Sequence, residues 1–182
     1  MVLLIADLLA HPKVIETYDH MHHSIPKHDH LLRSVKYSSR FAKLLRADLR
    51  TCVRAAMIHD IDSRLGTLTT HGAVAARWAA EQGEPEAVCR AIISHMYPLG
   101  PAPTSREAWV LVLADKAASL GDFRQYVRGL INGSSQQIRR RLELSDPYYC
   151  QRPRRPRHRL LRRPLLHRPL RQRRRRRMSA EP

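Results

Sequence analysis

A histidine followed directly by an aspartate, His59-Asp60, stands at the end of an apolar run that begins at Ala55. Placing two ionisable side chains beside apolar residues costs free energy unless a partner compensates them, and a divalent metal ion is one such partner. The pair alone is weak evidence, because it often occurs by chance and an ordinary helix C-terminus is then the simpler interpretation. It gains weight only from the other histidines and aspartates of the chain.

Two further side chains complete a candidate metal site. His30 lies in the first turn of a predicted amphipathic helix, and Asp115 lies inside the most apolar stretch of the chain, where an unpaired carboxylate would be costly to bury. Imidazole nitrogens and carboxylate oxygens together suit iron, manganese or zinc. Because each helix needs to contribute only one or two ligands, a helical bundle can build such a site.

Several histidines close to His30 leave the choice of ligand open by one helical turn. His30 is preferred to His28, because small and apolar residues follow it at helical spacing. His22 is a candidate for an extra ligand or a proton carrier. His20, His23 and His28 are expected to be exposed.

The elements that must position these residues are helices, because strand-like alternation is absent from the first 145 residues. The predicted helices cover about 2–10, 14–20, 29–45, 48–60, 71–82, 85–95 and 108–120, with one or two more within 122–144. Thr70 is expected to cap the helix that starts at His71, and Thr104 and Glu107 form a capping-box pattern. Gly121 is expected to break the central apolar helix.

The order His30…His59-Asp60…Asp115 resembles the H…HD…D pattern of HD-domain phosphohydrolases, over roughly residues 10–120. Two further segments strengthen the resemblance. Residues 70–76, with His71-Gly72, look like the helix start that follows the HD loop in binuclear members. Residues 91–95 look like the segment in which a further histidine ends the next helix.

This resemblance implies an all-α HD-domain helical bundle that binds one or two divalent ions from among Mn, Fe, Mg, Zn and Co. The implied ligands are His30, His59, Asp60 and Asp115 for a first ion, with Asp60 as a bridge and His71 and His95 at a second ion. Two such ions can share a hydroxide, lower its pKa towards neutrality and neutralise a phosphate held against them. Phosphoryl transfer needs mainly positioning and charge neutralisation, so no serine or cysteine nucleophile is required.

The resulting hypothesis is a metal-dependent phosphohydrolase that acts on a phosphate ester or anhydride, with a nucleotide as the favoured substrate and metal-hydroxide attack on phosphorus as the reaction. Asp60 and Lys116 are the predicted catalytic residues. Lys116 and Arg64 are predicted to contact the substrate phosphate, although a solvated surface charge is the simpler interpretation of Arg64. The run that follows His59-Asp60 departs from the HD-Ile-Gly-Lys of cyclic-dinucleotide phosphodiesterases, so we do not expect that activity.

Two other functions stay open. A di-iron HD-fold oxygenase could use the same six ligands. A nucleic-acid-binding protein could instead act through the C-terminal tail, because its arginines would bind phosphate backbones without sequence preference.

The charge of the chain is concentrated in that tail. Residues 1–150 carry 19 basic and 15 acidic side chains, whereas residues 151–182 carry 14 arginines and one glutamate. Such a segment cannot bury enough apolar surface to offset its ordering entropy. We therefore predict a helical domain at 1–146 and a disordered Arg/Pro-rich tail at 147–182, whose composition also suits out-of-frame translation of GC-rich DNA.

Three widely spaced cysteines without a C-x-x-C pair favour a reducing cytoplasm over a disulfide framework. The apolar run at 2–10 is too short to span a bilayer and has no basic flank typical of a signal peptide. We expect a cytoplasmic protein without membrane contact, and the sequence does not determine its oligomeric state.

Overall fold

Helices form nearly all the regular structure in residues 2–22 and 25–146, which are the residues that this computed structural model describes. The helices are α1 (Ala6–Leu9), α2 (Pro12–Ile15), α3 (Lys27–Leu45), α4 (Leu49–Ile58), α5 (His71–Glu81), α6 (Glu86–Ile93), α7 (Arg106–Ile131) and α8 (Ser134–Ser145). Single 3-10 turns lie at Val2–Leu4, Glu16–Tyr18 and Ser63–Leu65. The prediction of an all-α fold is confirmed for these residues.

A two-stranded antiparallel ribbon is the feature that the sequence did not predict. Strand β1 (Met21–His22) pairs with β2 (Ile25–Pro26), so that Met21 lies opposite Pro26. Two-residue strands are too short to show the alternation by which strands are recognised. The ribbon leads directly into the first turn of α3.

The core is built around α3 and α4. Helix α3 packs against α4 and α7, α4 also contacts α6 and α7, and α5 packs on α6. Residues from Cys52 to Ile58 on α4 are all buried. A helix that is apolar on every side is stable only when other elements cover all of its faces, and α3, α6 and α7 do so for this part of α4. The residues that end α4 are consequently in the interior.

The prediction that Gly121 breaks the central helix is wrong, because α7 continues through it to Ile131. A glycine inside a helix costs only about 1 kcal/mol relative to alanine, which packing can offset. The packing is visible here: a Cβ on Gly121 would lie 2.6 Å from Cδ of Arg33 on α3. Gly121 therefore permits α3 and α7 to approach closely.

Two predicted helix caps do not form as expected. Ser105, rather than Thr104, caps α7 by accepting from the backbone N–H of Ala108. Glu107 accepts from the backbone of Asp48 instead of closing a capping box. Thr70 precedes α5 as predicted, but its hydroxyl accepts from the backbone N–H of Thr67 and does not cap the helix.

The predicted tail at 147–182 lies outside the described residues, so its order and its nucleic-acid binding stay predictions. The same is true of the domain boundary at 146. Among the described helices, none is both long enough and apolar enough to cross a membrane.

A buried arginine fixes α4 to the start of the chain and to the turn before α6. The Nε of Arg54 donates to Glu84 at 2.8 Å, and its Nη1 donates to Asp7 at 2.8 Å and to the carbonyl of Leu4 at 2.9 Å. The hydrogen bond to Arg54 lowers the pKa of Asp7 to about 2. The Glu84 carboxylate is almost fully enclosed, with 2% of its side chain exposed, whereas Asp7 is largely exposed.

We expect Glu84→Gln to lower the free energy of unfolding by about 3 kcal/mol, because it leaves the buried Arg54 cation with only an exposed partner. Glu86→Gln is the matched control, since that carboxylate is 79% exposed and pairs with Arg90; its effect should stay within about 0.5 kcal/mol. Urea denaturation of the full chain measures both. Equal effects of the two substitutions would contradict the structural role of Glu84.

Candidate metal centre

Three side chains that are far apart in the sequence converge at the centre of the bundle. They are His30 from the first turn of α3, His59 at the end of α4 and Asp115 from the middle of α7. Nε2 of His30 lies 3.3 Å from Nε2 of His59 and 3.3 Å from Oδ1 of Asp115, and the third separation, from His59 to Asp115, is 3.6 Å. Both imidazoles are fully buried, and Asp115 is 8% exposed.

The other ring nitrogen of each histidine fixes which atom faces the gap. Nδ1 of His59 lies 3.0 Å from the carbonyl oxygen of Ala56, and Nδ1 of His30 lies 2.6 Å from a carboxylate oxygen of Asp122. Because these oxygens only accept, each Nδ1 must be the donor. In the neutral ring Nε2 is then an unprotonated acceptor. The Nε2 lone pairs of His30 and His59 therefore face each other and the carboxylate of Asp115.

This donor set fits a metal ion. Tetrahedral ligands roughly 2.1 Å from an ion lie roughly 3.4 Å apart, which is the spacing of the three atoms. A histidine that donates Nδ1–H to a carboxylate or carbonyl and presents Nε2 is the usual arrangement around bound metals. Three converging acceptors repel one another unless a cation lies between them. The hydroxyl of Ser34 does not replace a cation, because it is uncharged and its oxygen lies 3.5 Å from Nε2 of His30, at the outer limit of a hydrogen bond.

A second group with the same design lies beside the first. Nε2 of His71 is 2.9 Å from Nε2 of His95, and Oδ1 of Asp60 lies 3.4 Å from His71 and 3.9 Å from His95. Each ring again donates Nδ1–H to a backbone carbonyl, that of Thr67 for His71 and that of Ile92 for His95.

The two groups share His59. Ligand atoms of His59, Asp60 and His95 lie within 4.8 Å of one another, as do those of His30, His59 and Asp115. The structure thus brings together all six predicted ligands. That they bind metal, and that Asp60 bridges two ions, stay predictions.

Asp60 has a further partner in His22 on β1. Nδ1 of His22 lies 3.2 Å from Oδ2 of Asp60, and its ring stacks on His30 with centroids 4.3 Å apart. The unpredicted ribbon is therefore what carries a fifth histidine to the centre. His22 was marked in the sequence only by its position ahead of His30.

Both carboxylates stay ionised at neutral pH. Burial alone would raise the pKa of Asp60, but His71, His59, His22 and the Lys27 ammonium hold it well below its usual value. Burial is likewise outweighed at Asp115, whose pKa is lowered by His30 and His59. The centre therefore carries two negative charges in a largely enclosed space.

The histidines of the second group differ in their affinity for a proton. Burial lowers the pKa of His95 to about 4, which leaves its Nε2 free to bind a cation at neutral pH. Burial also opposes protonation of His71, but the hydrogen bond and charge of Asp60 outweigh it and raise the pKa. The group thus attracts positive charge, which either a proton or a metal ion can supply.

A close approach between α5 and the end of α6 brings His71 and His95 together. A Cβ on Gly72 would lie 3.0 Å from the carbonyl oxygen of Ile92 and 3.3 Å from Cε1 of His95. A side chain at position 72 would force these neighbours to shift by a few tenths of an ångström, which gives the His71-Gly72 pair a physical reason.

A cavity of about 410 Å³ opens beside the centre and is lined by both carboxylates, by His22, His71 and His95, and by Lys116. The ammonium of Lys116 lies 3.1 Å from Oδ2 of Asp115, and 47% of the side chain is exposed. Arg64 is not among the lining residues. Its guanidinium forms an ion pair with the buried carboxylate of Asp146 beyond α8, so its predicted substrate contact stays a prediction.

Sequence reasoning missed two buried residues that support the centre. Lys27, 2% exposed, donates to the carbonyl of Asp60 at 3.2 Å and to the hydroxyl of Ser63 at 2.8 Å. A lysine at the start of a helix is ordinarily exposed, so no pattern marks it. Asp122 could have been found, because it lies seven residues after Asp115 and hence on the same face of α7.

Two of the neighbouring histidines that were expected to be exposed are not, and the first of them, His20, is half-buried. His28 is buried, not exposed: its ring stacks on Tyr18, and its Nδ1 lies 3.1 Å from the hydroxyl of Thr17. It faces away from His59 because it precedes His30 by two residues, which places it on the other side of the helix. His23 lies outside the described residues.

A family model described as HD domain matches residues 28–120, about half of the chain. The match includes all six residues of the two groups, whereas His22 and Asp122 fall just outside it. No curated protein and no solved structure matches the chain. The resemblance predicted from the H…HD…D order is thereby confirmed.

We expect His59→Ala to weaken metal retention by at least about 100-fold, because it removes the ligand that the two groups share. His95→Ala should remove only one ion and leave the other in place. His20→Ala, outside both groups, is the control. All three variants are tested by measuring the metal content of the purified full chain by plasma emission after reconstitution with Mn²⁺. A His59→Ala protein that retains its full metal content would refute the site. An unchanged number of ions per chain in His95→Ala would exclude His95 as a ligand.

Proposed function

The chain belongs to the HD-domain family, whose members are generally metal-dependent phosphohydrolases, and we propose that it hydrolyses a phosphate ester or anhydride with one or two divalent metal ions. A nucleotide is the substrate class that we favour. The family assignment supports hydrolysis in general, and the His/Asp groups of the site support a bound metal.

One observation carries the proposal. Four imidazoles donate from Nδ1 and present Nε2 to an interior that also holds two ionised carboxylates, and this interior borders a cavity large enough for a phosphate group. Bound divalent ions would lower the pKa of a water molecule and neutralise the charge of a phosphoryl group. The residues that would hold them are His30, His59, Asp60, Asp115, His71 and His95.

Side chains that line the cavity would bind the substrate phosphate and exchange protons with solvent. The ammonium of Lys116 donates to Asp115 and, at 3.4 Å, to the carbonyl of His95, while 47% of the side chain is exposed to solvent. A cation so placed can bind a non-bridging oxygen of a phosphate and orient it towards the centre. Asp60 links the second group to His22, whose half-buried ring can exchange protons with solvent.

The test is a reconstitution followed by a substrate screen. The full chain, loaded separately with Mn²⁺, Mg²⁺, Zn²⁺, Co²⁺ and Fe²⁺, is assayed for phosphate release from nucleoside mono-, di- and triphosphates, dinucleoside polyphosphates and sugar phosphates. Oxygen consumption by the iron form is measured in parallel, because it separates a hydrolase from a di-iron oxygenase. Oxygen uptake without phosphate release under any of these conditions would refute the proposed hydrolysis.

For whichever substrate is cleaved, we expect Lys116→Met to lower kcat/KM by about 10- to 100-fold without loss of metal, because one phosphate contact disappears while the six ligands remain. Lys36→Met on the exposed surface of α3 is the matched control and should leave kcat/KM within about 2-fold. Loss of bound metal from Lys116→Met would instead assign the lysine to the structure of the centre.

A further inference from the structure

Asp122 is a buried carboxylate that lies directly behind His30. Its Oδ2 is 2.6 Å from Nδ1 of His30, and only 3% of the residue is exposed. Arg33 of α3 forms an ion pair with the other carboxylate oxygen of Asp122, Oδ1. Asp122 therefore contacts the imidazole from the side opposite the gap.

Two carboxylates compete for the single proton of the neutral His30 ring. Asp122 lies 2.6 Å from Nδ1, whereas Asp115 lies 3.3 Å from Nε2. The shorter contact to Asp122 favours the tautomer with the proton on Nδ1. Without Asp122, the proton would move to Nε2 and point at Asp115, where it would occupy the atom that must bind a metal.

Arg33 and Gly121 hold Asp122 in this position. Arg33 is bound at one end to Asp122 and at the other to Gln125, both on α7. The missing side chain of Gly121 leaves the space through which Arg33 reaches them, since a Cβ there would lie 2.6 Å from its Cδ. The carboxylate thus cannot turn away from His30 without breaking an ion pair.

We propose that Asp122 is a positioning residue that fixes the tautomer and orientation of His30 for metal binding, without itself binding the ion. This inference rests on the metal centre of the proposed function but not on hydrolysis. It adds a second carboxylate of α7 to the site, two helical turns beyond Asp115.

The first test is the affinity of the full chain for Mn²⁺ alone, measured by isothermal titration calorimetry. Asp122→Asn should weaken binding by about 10- to 100-fold, which is the usual cost of losing the partner of a metal-bound histidine. Asp29→Asn is the matched control: Asp29 accepts from Gln125 at the same α3–α7 contact but does not touch the centre. Its affinity should stay within about 3-fold of wild type.

The second test observes the proton itself. In the Zn²⁺-loaded protein with ¹⁵N-labelled histidine, the Nδ1–H of His30 should resonate far downfield in wild type and in Asp29→Asn, and move upfield in Asp122→Asn. A purely structural role would lower thermal stability in both variants without moving this resonance. If Asp122→Asn does not fold, the paired variant Arg33→Met/Asp122→Asn, which removes both charges, takes its place.

The outcomes are distinct. Unchanged Mn²⁺ affinity or an unmoved resonance would overturn the role of Asp122, as would a wild-type protein that binds neither ion. A shifted resonance and weakened affinity in a protein that hydrolyses nothing would support this inference while refuting the proposed hydrolysis.

A separate observation concerns the outer face of α7. Its exposed large apolar side chains recur at alternating steps of four and three residues. Lys116 holds the one charged position of the series; its ammonium lies at Asp115 and the cavity, so that its aliphatic stem can lie along this face. We call this set the α7 stripe: Trp109, Leu113, Leu120, Phe123, Val127 and Leu130, which are 38% to 71% exposed.

The spacing of the α7 stripe is that of a coiled-coil seam, in which each side chain packs between those of a facing helix. The opposite face of α7 is already buried, at positions such as Leu111, Ala118 and Asp122. Contiguous exposed apolar surface of this kind marks an interaction site. We infer that α7 packs against α7 of a second copy about a two-fold axis.

The area is consistent with a dimer. The α7 stripe exposes roughly 500 Å² per copy, so two copies bury roughly 1,000 Å², which is the lower bound for a specific interface. A second copy supplies an identical stripe, and a two-fold axis makes the contact self-complementary.

Sedimentation velocity of the full chain, in high salt that removes nucleic acid, should show a dimer at micromolar concentration. Phe123→Glu should yield a monomer, because it buries a charge in the seam. Leu44→Glu, a 75% exposed leucine of α3 outside the stripe, is the control and should remain dimeric. A monomeric wild type, or a dimeric Phe123→Glu protein, would overturn the inference.

Discussion

The centre of this protein depends on a surplus of hydrogen-bond acceptors in a place that water hardly reaches. Each of four imidazoles gives its Nδ1 proton to a carbonyl or carboxylate, so that the lone pairs of Nε2 face inwards beside two ionised carboxylates. Such an arrangement is unfavourable unless positive charge fills it. The demand for a cation is thus set by the orientation of the rings as much as by the residue types.

At two of the histidines, a backbone carbonyl near the end of a helix orients the imidazole ring. His59 and His95 stand just beyond the last turns of α4 and α6, where carbonyl oxygens three residues earlier, those of Ala56 and Ile92, accept from Nδ1. His30, the fourth residue of α3, instead uses the carboxylate of Asp122 on a neighbouring helix. The same chemical requirement is therefore met by backbone in some places and by a side chain in another.

The sequence predicts the ligand types well and their supports poorly. His30, His59 and Asp115 could be recognised because ionisable residues beside apolar runs are expensive, and the structure brings them together. The bounds of α3, α4, α5 and α6 were predicted to within two residues, whereas the first two predicted helices are each divided into a short helix and a 3-10 turn, and α7 continues well past its predicted end. Neither Lys27 nor the partnership of Arg64 with Asp146 could be foreseen, because a charge becomes buried only through contacts between distant segments, which periodicity along one helix does not report.

The helix break expected at Gly121 shows that helix propensity is misleading where two helices approach closely. Propensity assigns a small cost to glycine in a helix, but here the absent side chain lets Arg33 cross to Asp122, and Asp122 in turn holds His30. The residue that looked like a helix stop is the one that lets α7 run on past the centre. An uninterrupted α7 places Asp115 and Asp122 two turns apart on one face, so that a single rigid helix sets the distance between a predicted ligand and the carboxylate that orients its neighbour.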